Sequence, residues 1–205
     1  TLDSLQFVNP AYSITNVGAV TSQVDKALNS DIARDNYGVD GSGIRIGVLS
    51  NSFDCENNAK AGDIASGDLP SDIIILRDES CLDGTSSVTF SREPGDDEGR
   101  AIGQVIHDIA PGASLAFFAP AGQAHMANGI TALASIPDLE VAVDDILFLY
   151  EPMFTDGLPA QSVDQATQIS YFSAAINAGN QSYESQYRSS GLCGEATTLA
   201  DCAIR

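Results

Sequence analysis

The sequence predicts a three-layer α/β fold, a mostly parallel, twisted sheet with helices on both faces. Three observations lead there. At 205 residues, 43% hydrophobic and 18% charged, the chain has material for one core and lies outside the low-hydrophobicity range of disordered chains. Short β-branched runs such as IRIGVLS are apolar throughout rather than alternating, which marks strands buried on both faces. These runs alternate with segments of helical period, the order of βαβ units with right-handed crossovers.

Residues 1–19 read as an N-terminal extension and 20–205 as the domain, without internal repeats. Within SQVDKALNSDIARDNYGVDGSG (22–43), Val24, Ala27, Leu28, Ile32 and Ala33 recur at helical spacing, and Gly38 and Gly41 end the helix. IRIGVLS (44–50) is the first strand and IIILR (73–77) the second, with a loop rich in Asp, Gly and Asn between them. A helix then opens at Asp96 or Asp97, both capping residue types. It aligns Ala101, Ile102, Val105, Ile106 and Ile109 on one stripe and stops before Pro111. SLAFFA (114–119) is a strand and HMANGITALASI (125–136) a helix. LEVAVDDILFL (139–149), a helix across QSVDQAT (161–167) and the strand ISYFSAAI (169–176) complete the series.

Nine Lys and Arg against 28 Asp and Glu leave a formal charge of −19. A field of that sign repels phosphate backbones and anionic lipid, so nucleic-acid and membrane-surface roles are disfavoured. The same acidity supports solubility and is compatible with loosely held calcium, although no residue is assigned to a metal and no cofactor is expected. No apolar run approaches the ~20 residues that cross a bilayer, and TLDSLQFVNP lacks the basic start of a signal peptide. A mature, soluble protein without membrane insertion is the expectation.

Cys55, Cys81, Cys193 and Cys202 fall in turn-rich segments, none in a CxxC or Cys/His ligand spacing. An even count there suits two disulfides, Cys55 with Cys81 and Cys193 with Cys202, and hence a secreted, extracellular protein. Four cysteines allow three connectivities, and four free thiols in a reducing compartment are the alternative.

In a parallel sheet, sites lie at the carboxyl ends of the strands. Here those ends carry Asn51, Asp144 and Asp145, and Asn177, faced by the helix that opens Asp97-Glu98-Gly99. Three stretches in order resemble the subtilisin-like serine peptidases. VDGSGIRIGVLSNSFD (39–54) is similar to the family's Gly-rich turn and first core strand leading to the catalytic Asp. DDEGRAIGQVIHDIAPGASLAFF (96–118) is similar to the segment that carries the catalytic His, a long helix, an APxA turn and a strand. ISYFSAAIN (169–177) is similar to the strand ending in the Asn that donates to the oxyanion. The resemblance covers roughly residues 20–190 and implies Asn51, Glu98 and Asn177 as the site.

The departures are as informative. Asn51 stands where the family has Asp and cannot bear its charge; Asp54, three residues on, is a substitute. Glu98 stands at the His position, followed by Arg100 where Thr is usual, and resembles the base of the acid-acting sedolisins. Those place a partner Asp one helical turn later, where this chain has Ile102. The strand ends in Ile176 in place of Gly. The Gly-Thr-Ser-x-Ala segment that bears the nucleophile does not occur in these residues, and Ser182, Ser185, Ser189 and Ser190 follow the strand too closely to replace it.

Each residue also has a plainer reading. Glu98 complements a helix dipole, Asn51 closes a strand, and Asp144 and Asp145 are solvated strand-end carboxylates, where the sharper reading has one of them line a substrate cleft or bind a cation. His107 and His125 end and begin helices. The resemblance therefore implies a serine-type endopeptidase domain acting on protein or peptide substrates, here without its nucleophile-bearing segment, which the remainder of the peptidase domain supplies. The alternative is a catalytically inactive, subtilase-derived module for assembly or peptide binding, with a self-assembly partner.

Overall fold

The computed structural model describes residues 18–55, 58–78, 97–148, 151–152 and 155–174. Five strands form one sheet in the order β2-β3-β1-β4-β5. They are β1 (Arg45–Leu49), β2 (Ile74–Arg77), β3 (Ser114–Phe118), β4 (Leu139–Asp144) and β5 (Ser170–Ser173). Every pairing is parallel. β4 stops at Asp144, short of the expected 149, and the end of the expected last strand lies outside the described residues.

Among the described residues two helices precede β1, α1 (Val24–Ala27) and α2 (Ser30–Tyr37), and four connect the strands: α3 (Lys60–Ser66), α4 (Glu98–Ile109), α5 (Gln123–Ala134) and α6 (Leu158–Gln165). α3 occupies what reads in sequence as loop. The single helix expected within 22–43, ending at Gly38 and Gly41, is two, broken at Asn29, whose φ of 57° is a left-handed conformation that Asn tolerates. Its apolar stripe does not face the core: Leu28 is 63% and Ile32 50% exposed. An ion pair docks this segment instead. The carboxylate of buried Asp25 takes both Arg34 nitrogens at 2.7 and 2.8 Å, and Arg34 also donates to the Ile109 carbonyl at 2.6 Å.

Alternation along the strands divides the core in two. Ile46 and Val48 of β1, with Leu115 and Phe117 of β3, meet Ile64 of α3 and Ile102 and Ile106 of α4 on one face. Leu49 and the alanines Ala116 and Ala142 meet Met126, Ile130 and Leu133 of α5, and Val163 of α6, on the other. α4 turns Gly99 and Gly103 to the sheet with Ile102 and Ile106, while Ala101 of the expected stripe is exposed. His107, expected at a helix end, is buried in the last turn of α4, and burial lowers its imidazole pKa.

The two faces fix the hands of the crossovers. The connections β2–α4–β3, β3–α5–β4 and β4–α6–β5 all step toward the β5 edge, yet α4 lies on the opposite face from α5 and α6. β1–α3–β2 steps the other way on the face of α4, so it shares the hand of the α5 and α6 connections. Three connections thus have one hand, the right hand that such crossovers take in ~98% of cases. The β2–α4–β3 connection is left-handed, which corrects the uniformly right-handed expectation.

Candidate active site

β1 leaves the sheet toward β2, and β4 leaves it toward β5. Their carboxyl ends therefore border the crevice where the chain switches direction, the usual ligand position in an open parallel sheet. Because α4 shares a face with β1 and runs back from the carboxyl edge, its first turn overhangs that crevice. The Asn51 amide donates to Glu98 Oε2 at 3.3 Å. The structure thus joins two of the three site residues expected from sequence; the third, Asn177, lies outside the described residues.

The contact is set by a clamp between the segment after β1 and the start of α4. The Asp97 amide donates to Ser52 Oγ at 3.0 Å, and the Gly99 amide donates to the Ser52 carbonyl at 3.0 Å. Asp97, 2% exposed, is in the left-handed region at φ 48°. That conformation costs a non-glycine residue roughly 1–2 kcal/mol and persists where the surroundings over-determine it. Its carboxylate accepts from Cys55 N at 2.7 Å and from Arg100 at 2.9 Å, and Arg100 also holds Asp63 at 2.7 Å and the Phe53 carbonyl at 3.0 Å. Gly99 is required by close approach: a Cβ there would lie 2.3 Å from the Phe117 ring and 2.7 Å from the Ser52 carbonyl.

Asp54, the substitute for the missing Asp, faces elsewhere. It accepts from the Lys60 amide at 2.9 Å and pairs with the Lys60 ammonium at 3.8 Å, tying down the start of α3. Asp78 accepts the Phe53 and Asp54 amides at 2.9 and 3.0 Å, fixing the same turn.

Across the crevice, the β4 end carries two carboxyls in different settings. Asp144, 7% exposed, accepts from Tyr171 Oη at 2.7 Å and Ser173 Oγ at 3.0 Å. Burial raises its pKa against those bonds, and burial also raises that of Tyr171. Asp145 accepts from Ser50 Oγ at 3.1 Å. Burial pushes its pKa up to about 6, opposed by the Ser50 bond and reinforced by the charges of Glu98 and Asp144.

Among the described residues no group of His, Cys, Asp and Glu side chains is arranged to hold a metal ion. No described helix is long and apolar enough to cross a membrane. Cys55 is the one cysteine described; Cys81, Cys193 and Cys202, and with them the expected pairings, lie outside the described residues. Chemically, the crevice offers a helix-start carboxylate oriented by a neutral amide, beside a second carboxyl that holds its proton into the mildly acidic range. No family model, curated protein or solved structure matches the chain.

Proposed function

We propose that this α/β domain belongs to a subtilisin-like serine-type endopeptidase and carries the acid–base part of its site. The Asn51–Glu98 contact at the switch-point crevice is the observation that supports this. Glu98 takes the proton of a serine as that serine attacks a peptide carbonyl, then returns it to the leaving amine, while Asn177 donates to the oxyanion. The serine belongs to a segment outside these 205 residues.

A fluorophosphonate probe, applied to the 205-residue chain and to the longest product its gene encodes, tests the reading. No serine of the 205 residues should be labelled. The longer product should be labelled at mildly acidic pH and lose that labelling in Glu98→Gln. Labelling of a serine within the chain, or activity peaking above neutrality, excludes Glu98 as base. A second reading, a non-catalytic module for assembly or peptide binding, is favoured by the neutral Asn51 and by the engagement of Asp54 with Lys60; under it no form is labelled.

A further inference from the structure

We propose that Asn51 is a positioning residue of fixed polarity, a donor to Glu98 Oε2 that leaves Oε1 as the atom taking the serine's proton, and that its neutrality is matched to a carboxylate base. The inference rests on the reading of Glu98 as that base, and it starts from the two ends of the Asn51 amide. An asparagine can present its oxygen or its nitrogen to a neighbour, so the neighbours decide which way it lies. The Ser52 main-chain amide, which only donates, reaches the Asn51 oxygen at 2.5 Å. Glu98 Oε2, an acceptor when ionised, lies 3.3 Å from the Asn51 nitrogen. Turned over, the amide would set donor against donor at Ser52 and acceptor against acceptor at Glu98.

Ser52 cannot move away to permit that reversal. Its carbonyl accepts the Gly99 amide and its hydroxyl the Asp97 amide, each at 3.0 Å, so it is tied on both sides to the turn that carries Glu98. Glu98 is exposed, and among the described residues none donates to its Oε1. As the serine oxygen bonds to the peptide carbon, its proton passes to Oε1 and the carbonyl π pair moves onto the carbonyl oxygen. Oε1 then gives the proton to the amine nitrogen as the carbon–nitrogen bond breaks. Oε2 keeps its bond from Asn51 throughout. A carboxylate at position 51, the partner that suits an imidazolium, would here face a second carboxylate at the same short distance. Two carboxyls so placed do not both ionise, and the proton they share is withdrawn from catalysis.

Reversing the pair tests the polarity in the 205-residue chain without requiring catalysis. Asn51→Asp should lower the Tm by a few degrees at pH 8, a deficit that shrinks toward pH 4 as the two carboxyls take up a proton. Adding Glu98→Gln should remove the deficit at pH 8, because the new amide donates to the new carboxylate. In ¹H–¹⁵N spectra the Asn51 side-chain amide should move through an acid titration in the parent and stay still in Glu98→Gln. A Tm unchanged by Asn51→Asp, a deficit that Glu98→Gln does not relieve, or an Asn51 amide indifferent to pH in the parent overturns the proposal. In a probe-reactive longer product, Asn51→Asp should slow labelling at the parent's optimum by about tenfold, the loss for a proton held one pH unit more tightly. Labelling as fast as the parent's overturns the proposal and leaves the peptidase reading standing. The reversal and the spectra behaving as stated, with no form labelled, keeps the polarity of Asn51 and removes the peptidase reading.

Discussion

Asp145 and Gly99 act on stability through different physics. Burial lifts the Asp145 carboxyl to about 6 from 3.8, so its ionisation opposes folding. The contribution of the protonated form is complete below the unfolded value and is lost as pH rises through about 6. Asp145→Asn keeps an oxygen for Ser50 and removes the titration. It should gain about 2 kcal/mol over the parent at pH 8 and nothing at pH 3, as read from urea unfolding at the two pH values. Gly99→Ala should instead destabilise by about 2 kcal/mol at any pH, because overpacking against Phe117 and Ser52 outweighs the gain in helix propensity. Gly62 of α3 has open space around its Cβ position, and Gly62→Ala should stabilise by about 0.5–1 kcal/mol. Asn51 and Glu98 were legible in the sequence because each sits in a local motif. The clamping role of Asp97 and the partner of Asp145 were not: Ser52 lies 45 residues from Asp97, and Ser50 lies 95 from Asp145.

At the scale of elements, apolar period located α4 and α5 but misdirected the reading of 22–43. α2 buries no residue, and its attachment runs through Arg34 to Asp25 and to the last turn of α4. Arg34→Met should leave Asp25 buried without its cation, at a local cost of about 3–5 kcal/mol. Hydrogen exchange should then show residues 30–37 losing protection while β1, β3 and β4 keep theirs. The α4 connection exposes another limit of the sequence. Strand and helix order is written in the chain, but the face a helix takes is decided by packing. Here Gly99 and Gly103 let α4 approach Phe117, Phe53, Leu69 and Leu115 closely, and the uncommon hand is what brings Glu98 over the end of β1.

For the whole molecule, the formal charge of −19 is a self-repulsion that folding concentrates. Raising sodium chloride from about 20 to about 200 mM shortens the screening length to below ~10 Å and should raise the Tm by a few degrees at pH 8. The gain should shrink toward pH 5 as carboxylates protonate; differential scanning calorimetry at the two pH values checks both statements. That the chain folds as a parallel α/β sheet was legible from its apolar runs. The sheet order was not, since pairing β1 with β3 and β4 depends on which strands bury each other.

That order also bears on how the chain is made. β1 leaves the ribosome well before both of its partners, for β3 and β4 begin at Ser114 and Leu139. Until both are synthesised, Ile46, Val48 and Leu49 have no strand on either side. The newborn chain therefore carries an unsheltered apolar segment until those strands are made. Its closure waits on contacts of long sequence separation, the slow class of folding event and the one in which association with other chains competes.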